Sequence, residues 1–357
     1  HQTLPLNDII TKKNLTIGKA IVPNNGFDSE TFVERKLCWV NADGSETKIT
    51  GENDPSYNID DCIMEDISFE DENYFENKIS PGYLPKLLQE KLVVVVGDAG
   101  MGKSTFLTHV AMEFCKLNEG VWILRINLRD HVEIFKSNNF EKDEFKIQEF
   151  LFKSFVKSSQ GENSDENFFF ASFESGTIIV MLDGFDEINP FCDNHVMKFI
   201  ESVINYENLH LWVSTRPHLK QQFDHLRGVK ILRMKNYSRF DLSLFLSRFW
   251  AKNKIAEDKN KLSVVADELL NRAVHSFRGW YDLWTIPMVA RMVAEIYESQ
   301  VSNISLKLSQ KGDSVLVFTK ETVDILWLYK AFVTKKMSET QEKGGKIIEE
   351  LNNKQSD

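Results

Sequence analysis

The residues in this sequence best suited to chemistry follow a run of valines, in the stretch KLVVVVGDAGMGKSTF at positions 91–106. Leu92–Val96 is apolar and rich in β-branched residues, which is typical of a strand buried on both faces of a parallel sheet. The spacing that follows, G-x-x-x-x-G-K-[ST], is that of a loop whose backbone N–H groups cradle phosphates. Lys103 would then reach the terminal phosphates, Ser104 would ligate Mg²⁺, and Thr105 would touch the innermost phosphate.

The residues predicted to bind phosphate form one continuous loop. They are Gly97, Asp98, Ala99, Gly100, Met101, Gly102, Lys103, Ser104 and Thr105. The glycines let the backbone turn tightly, and the helix expected to start near Gly102 points its positive end at the phosphate oxygens. An ordinary glycine-rich turn is the alternative, but the apolar strand before the loop and the helical pattern after it argue against that alternative.

A second signature, TIIVMLDGFDE at positions 177–187, places acidic residues after another apolar strand. Asp183 ends that strand, and the carboxyl end of a parallel strand lies near the phosphate loop, so Asp183 is predicted to hold Mg²⁺. Asp186 and Glu187 follow, where an acid could orient or deprotonate an attacking water. Alternatively, these two residues are acids that favour a helix N-terminus because of the helix dipole.

Two further residues are candidates for contact with a nucleotide. Arg216, in the sequence VSTRP, follows the next strand, where a cation could stabilise the charge of a γ-phosphate. An ion pair with a surface acid is the alternative for Arg216. Pro287 opens a predicted helix, a position that proline occupies at low cost. The functional alternative is that Pro287 packs on an adenine ring.

The coarse pattern of the chain predicts an α/β fold with a doubly wound parallel sheet, followed by a helical region. Apolar strands alternate with helical patterns up to residue 235, and helical spacing dominates from residue 236. The predicted divisions are an N-terminal arm with an acidic insertion, a nucleotide-binding domain, a helical subdomain, and a linker helix with a polar tail. Their ranges are 1–80, 81–235, 236–320 and 321–357.

Composition limits the classes of partner. The net charge of −10 makes nucleic acid an unexpected partner, since proteins that bind DNA phosphates usually present a basic surface. The four cysteines are scattered, which predicts neither a zinc site nor a disulfide framework and suits a reducing cytoplasm. The sequence has no apolar run of membrane-spanning length and no signal peptide, and its start at His1 suggests a piece of a longer chain.

Taken together, these motifs resemble the NACHT family of STAND P-loop NTPases, which includes the NOD-like immune receptors. The resemblance rests on GDAGMGKST, VMLDGFDEI, WILRINLRD, STRP and TIPMVARMVAEI, and on the arm-like segment FVERKL. It implies a base contact from Pro287 and weaker adenine-site candidates at Phe32, Val33 and Arg35. The sequence lacks a full winged helix, leucine-rich repeats and a death-fold domain, so the sensing and output parts are expected in missing flanking domains.

The resemblance implies a cytoplasmic signal-transduction protein that binds ATP or ADP with Mg²⁺ and hydrolyses ATP slowly. Nucleotide occupancy would set the angle between the sheet and helical domains and control self-association, in innate immunity or cell death. A small-molecule phosphotransferase and a non-catalytic scaffold that holds ADP are the alternatives. A Ras-like GTPase is disfavoured because the N-K-x-D motif that reads guanine is absent from the sequence.

Overall fold

The computed structural model describes a defined part of the chain. The described residues are 33, 37–41, 45–48, 90–117, 121–137, 140, 144–159, 173, 177–188, 192–253, 259–276, 281–310 and 327–338. They divide into two compact units, the first ending at Lys235 and the second beginning at Asn236 and including Val33. Phe32, Arg35, most of the acidic insertion and the polar tail after residue 338 lie outside the described residues.

The first unit is built on a mixed β-sheet. Its described strands are β1 Leu37–Val40, β2 Glu46–Lys48, β3 Leu92–Val96, β4 Val121–Asn127, β5 Thr177–Asp183, β6 Leu209–Thr215 and β7 Val229–Met234. Their order across the sheet is β2-β1-β7-β3-β6-β5-β4. Strands β3 to β7 run parallel to one another, whereas β1 pairs antiparallel with both β7 and β2. Strands β4, β5 and β6 therefore lie on one side of β3 and β7 lies on the other, so the order of strands changes side at β3, as it does in doubly wound sheets.

Helices connect these strands. They are α1 Lys103–Leu117, α2 Val132–Ser137, α3 Glu144–Ser159, α4 Phe185–Ile188 and α5 Asp193–Val203, with 3₁₀ turns at Leu128–His131 and Pro217–Phe223. Helix α1 packs on one face of the sheet, and α3 and α5, which lead from β4 back towards β3, pack on the other. Right-handed crossovers produce this arrangement. The predicted parallel sheet and its helical connections are confirmed.

Alternate residues of the strands pack into two apolar layers, one on each face of the sheet. On one face, Val94, Val180 and Leu211 belong to a buried cluster with residues of α3 and α5, including Phe150 and Phe199. The rings of Phe150 and Phe199 meet edge to face, with their centroids 5.4 Å apart. On the other face, Trp212 meets Phe114 of α1 in an edge contact at 5.8 Å. Because both faces are covered, β3 and β5 are almost continuously apolar rather than alternating with polar residues.

The second unit is helical in the residues that the structure describes. Its helices are α6 Arg239–Lys252, α7 Lys259–Ser276, α8 Tyr281–Trp284 and α9 Pro287–Gln310, and residues 327–338 form a further helix, α10. A capping box, in which Ser238 and Asp241 bond each other's backbone N–H groups, starts α6. Trp250 is fully buried and donates from its indole nitrogen to the Ala294 carbonyl at 2.9 Å, which fixes α6 against α9.

Candidate functional site

The predicted phosphate loop lies at the carboxyl end of β3, where α1 begins. Gly100 and Gly102 have φ angles of 78° and 80°, in the left-handed region that residues with a Cβ rarely adopt. A Cβ on Gly102 would have Thr105 Cβ, at 3.9 Å, as its nearest neighbour, so backbone conformation rather than crowding requires glycine there. The Ser104 and Thr105 side chains are exposed in the first turn of α1. The spacing therefore produces an open turn leading into a helix N-terminus, as a phosphate cradle requires.

Lys103 lies over the loop that precedes it. Its ammonium donates to the carbonyl oxygens of Gly97 at 2.8 Å and Asp98 at 3.3 Å. Burial lowers the pKa of Lys103 below its usual value, and the negative charges of Asp186 and Asp183 partly offset that effect. The predicted phosphate-binding cation and the two predicted acids therefore lie close enough to interact electrostatically.

The register of the sheet explains why these groups meet. Strand β6 lies between β3 and β5, with Val96 opposite Thr215 and Leu182 opposite Val213. The three strands therefore end at nearly the same level, and the Gly97 N–H donates to the Thr215 carbonyl at 3.2 Å. As a result, the loop after β3, Asp183 after β5 and Arg216 after β6 share one edge of the sheet, which is where open α/β sheets bind ligands.

Asp183 is buried, with 5% of its surface exposed, and both of its carboxylate oxygens have partners. Arg125 Nη2 donates to Oδ2 at 2.5 Å, and Ser214 Oγ donates to Oδ1 at 2.6 Å. Ser214 Oγ in turn accepts the Gly184 N–H at 2.9 Å. The carboxylate is thus held in one orientation by β4 on one side and β6 on the other.

Asp186 and Arg216 form an ion pair at the same edge. Arg216 Nε donates to Asp186 Oδ2 at 2.7 Å, and the Asp186 side chain is 5% exposed while that of Arg216 is 46% exposed. Among the described residues, the buried atoms Asp186 Oδ1 and Thr215 Oγ1 have no hydrogen-bond partner. Buried polar atoms without partners are uncommon and are often satisfied by a water or a ligand.

The remaining predicted residues lie on α4, in the second unit or outside the described residues. Glu187 is exposed on α4. Pro287 is the first residue of α9, in the second unit. Val33 is 2% exposed within the apolar core of the second unit, which leaves its side chain almost no surface for a base to cover. Phe32 and Arg35 lie outside the described residues. The adenine contacts expected from Phe32, Val33, Arg35 and Pro287 therefore stay predictions.

Three residues of the site were missed by the sequence interpretation: Thr108, Arg125 and Ser214. Arg125 carried a usable signal, because it is the one charged residue in the strand VWILRIN and a charge in a buried strand requires a partner. Thr108 and Ser214 carried none, since single hydroxyl residues in a helix or at a strand end are common.

The residues present fit a magnesium ion that is bound together with a nucleotide. Among the described residues, no group of three or more His, Cys, Asp or Glu side chains could hold a metal by itself. Mg²⁺ usually keeps several waters and takes one or two protein ligands plus substrate phosphates, so a hydroxyl and a carboxylate suffice. Ser104 would supply the hydroxyl and Asp183 the carboxylate.

The strand order, the phosphate loop at the end of β3 and the acid at the end of β5 define a P-loop nucleotide-binding fold. Within that class, residues 91–249 match the NACHT domain family. This match agrees with the resemblance that the sequence motifs indicate, and together with the fold it supports a P-loop NTPase module of the NACHT type.

Comparison with other proteins adds distant likenesses only. Solved structures similar to this chain include Drosophila ORC bound to DNA, with 14% identity and a TM-score of 0.39 over 64% of this chain and 65% of that chain. RuvB of Thermotoga maritima has 15% identity and a TM-score of 0.34 over 68% and 69%, respectively. This chain thus spans slightly less than two thirds of the ORC chain. No curated protein matches the sequence. No described helix has the length and apolar character needed to cross a membrane.

Proposed function

We propose that this chain binds ATP and ADP with Mg²⁺ and hydrolyses ATP slowly. The observation that carries the proposal is the meeting of three charged groups, from different strand ends, at one edge of the sheet. Lys103 follows β3, Asp183 ends β5, and Arg216 follows β6. A P-loop site needs a cation for the terminal phosphates, an acid for the metal and a further cation for the transferred phosphate.

In this proposal each residue has a distinct role. The backbone N–H groups of the loop from Gly97 to Thr105 and the Lys103 ammonium bind the phosphates. Bound magnesium would neutralise phosphate charge, and Ser104 and Asp183 would hold it. Asp186, with the exposed Glu187 as the second candidate, would orient the attacking water, and Arg216 would stabilise charge on the γ-phosphate.

A second candidate, a scaffold that holds ADP without hydrolysing ATP, is favoured by a specific observation. Both predicted catalytic partners at this edge are engaged with each other, since Arg216 Nε bonds Asp186 Oδ2. Both oxygens of Asp183 also have protein partners. This arrangement is compatible with nucleotide binding and occupies Asp186 Oδ2, which leaves only Oδ1 of that carboxylate to act on a water.

We also propose that nucleotide occupancy acts as a switch for conformation and self-association in a cytoplasmic signalling protein of innate immunity or cell death. Support comes from the NACHT domain match at residues 91–249. Cys38 and Cys192 are buried free thiols, which suit a reducing compartment. Light scattering of the protein with ADP and with ATP tests the switch, and an unchanged mass in both nucleotides would contradict it.

The binding proposal is tested by titrating ADP and ATP, each with Mg²⁺, into the parent protein and the Lys103→Ala variant. Hydrogen bonds to charged groups contribute about 1.5–3 kcal/mol, so we expect the variant to bind at least about tenfold more weakly. Lys153→Ala is the matched control, because Lys153 is an exposed lysine that pairs with Glu149 on α3. Equal affinity of the parent and Lys103→Ala would show that the site is wrongly assigned.

Release of inorganic phosphate separates the two candidate functions. Slow phosphate release from ATP that stops in Asp186→Asn supports hydrolysis at this site. Tight ADP binding with no phosphate release from the parent supports the scaffold. Transfer to a small-molecule acceptor instead of water would support the phosphotransferase alternative.

A further inference from the structure

The most unusual charged residue near the site is Arg125, in the middle of β4. It is 6% exposed, and its neighbours Leu124 and Ile126 are each 2% exposed. An arginine is rarely so buried unless it is paired, and a buried ion pair often contributes less to stability than apolar residues of similar volume would. Its position therefore calls for an explanation beyond packing.

Arg125 connects the two parts of the chain that are predicted to hold the metal. Its Nη2 donates to Asp183 Oδ2 at 2.5 Å, and its Nη1 donates to Thr108 Oγ1 at 2.7 Å. Thr108 Oγ1 then donates to the backbone carbonyl of Ser104 at 2.9 Å. A continuous chain of hydrogen bonds thus runs from the carboxylate at the end of β5 to the first turn of α1.

The hydrogen-bonding capacity of these groups fits one arrangement. The Thr108 hydroxyl has one proton, which it gives to the Ser104 carbonyl, so it can only accept from Arg125. The Ser214 hydroxyl likewise gives its proton to Asp183 and accepts from the Gly184 N–H. Each Asp183 oxygen has two lone pairs and accepts one bond here, so the carboxylate can still accept a bond from a water on the metal.

We propose that Arg125 is a positioning residue for magnesium: it fixes Asp183 relative to Ser104, so that both groups are in place when a nucleotide brings its metal. This inference rests on the proposed nucleotide site. Arg125 acts through Asp183 and Thr108, and no direct contact with the nucleotide is required. A residue in this role affects the contribution of the metal to nucleotide affinity and leaves the contribution of the phosphate loop unchanged.

The experiment measures ADP affinity in MgCl₂ and in EDTA for the parent and for Arg125→Gln. The dissociation constant in EDTA divided by that in MgCl₂, which we call the magnesium ratio, isolates the contribution of the metal to ADP affinity. Loss of a residue that orients a metal ligand typically weakens metal affinity by tenfold to a hundredfold, so we expect the ratio to fall by about tenfold in Arg125→Gln. Affinity in EDTA should stay within about twofold of the parent, because the phosphate loop is untouched.

Two further variants distinguish positioning from simple loss of fold. Arg125→Lys keeps the positive charge beside Asp183 and should restore part of the magnesium ratio. Thr108→Val keeps the ion pair and removes only the link to α1, so it should lower the ratio less than Arg125→Gln does. Arg291→Gln is the matched control, since Arg291 pairs with Glu295 in the second unit and its loss should leave the ratio unchanged.

The possible outcomes are distinct. A folded Arg125→Gln variant with the parent's magnesium ratio overturns the inference. If Arg125→Gln does not fold, Thr108→Val decides, and an unchanged ratio in that variant overturns the inference. If the parent binds no ADP in either buffer, the proposed nucleotide site itself fails. ADP binding by the parent that does not depend on magnesium overturns the positioning role alone.

Discussion

Arg216 and Asp186, which the sequence separately suggests for catalysis, are bonded to each other through Nε and Oδ2 at 2.7 Å. The two side chains come from adjacent strand ends, since Arg216 follows β6 and Asp186 lies on α4 immediately after β5. The bond uses Asp186 Oδ2 and Arg216 Nε, whereas Asp186 Oδ1 has no hydrogen-bond partner among the described residues and could accept a bond from a water. The ion pair therefore fixes the two predicted catalytic side chains relative to each other.

Replacing Arg216 with alanine should remove hydrolysis while leaving ADP binding intact. Arg216 is 46% exposed, so its loss should cost little stability. Removal of one group that stabilises transition-state charge typically lowers kcat by about 100-fold or more. Phosphate release and ADP titration measure the two effects. Arg227→Ala is the control, since Arg227 is an exposed arginine beyond β6. A parallel loss of ADP affinity and kcat would contradict this assignment.

Replacing Asp183 with asparagine should destabilise the protein as well as impair the metal site. The change leaves the Arg125 guanidinium buried without its counter-charge, and breaking a buried ion pair in this way costs about 3–5 kcal/mol. Asp186→Asn is the matched comparison, because its partner Arg216 is half exposed and the expected cost is about 1 kcal/mol or less. Urea denaturation measures both variants. Equal losses in the two variants would show that the burial of Arg125 has no energetic consequence.

Two glycines with the same backbone conformation should differ in their effect on activity. Gly184 and Gly228 have φ angles of 84° and 73°, so alanine at either position should cost about 1 kcal/mol. A Cβ at Gly184 would lie 3.3 Å from Glu187 Cδ, whereas one at Gly228 would meet nothing within 4 Å. Gly184→Ala should therefore disturb α4 and reduce ATP turnover, while Gly228→Ala should only lower the melting temperature. Turnover unaffected by Gly184→Ala would contradict a role for α4.

The second unit should lose stability in acid through Glu295. Burial alone would raise the pKa of Glu295, but hydrogen bonds from Lys336 and Arg291 outweigh it and lower the pKa below its usual 4.5. Because the folded pKa lies below the unfolded one, the stabilisation is complete above pH 4.5 and is lost as the pH falls through the folded pKa. The difference in unfolding free energy between the parent and Glu295→Gln should therefore shrink in acid.

Urea denaturation of both proteins from about pH 7 to about pH 3 measures this difference. Glu298→Gln is the control. Its side chain is 31% exposed and pairs with Lys335, so solvent screens that pair more strongly. A difference for Glu295→Gln that grows as the pH falls would contradict the expected sign.

The sequence was sufficient for the parallel sheet and the phosphate loop because both depend on local patterns. Four valines before a glycine specify a strand buried on both faces, and two left-handed glycines around Met101 specify the turn. Strand ends that carry Asp183 and Arg216 are likewise visible as polar residues after apolar runs. Such signals need only neighbours along the chain.

The partners of those residues could not be predicted in the same way. Sequence chemistry left Arg216 with a choice between a phosphate and an acid, and the structure pairs it with Asp186, 30 residues away along the chain. Arg125, which the sequence interpretation missed, is a charge in an apolar strand, but nothing local identifies Asp183 as its partner, since the two are 58 residues apart. Long-range pairs of this kind depend on strand order.

The amino-acid sequence by itself determined the element types, the glycine-dependent turn and the set of charged groups at the strand ends, because each follows from residue chemistry at fixed short spacing. Only the tertiary structure decided that β6 lies between β3 and β5 and that Arg125 reaches under α1 to Asp183. The physical reason is that the order of parallel strands follows from packing between distant segments. That order selects which buried charges meet.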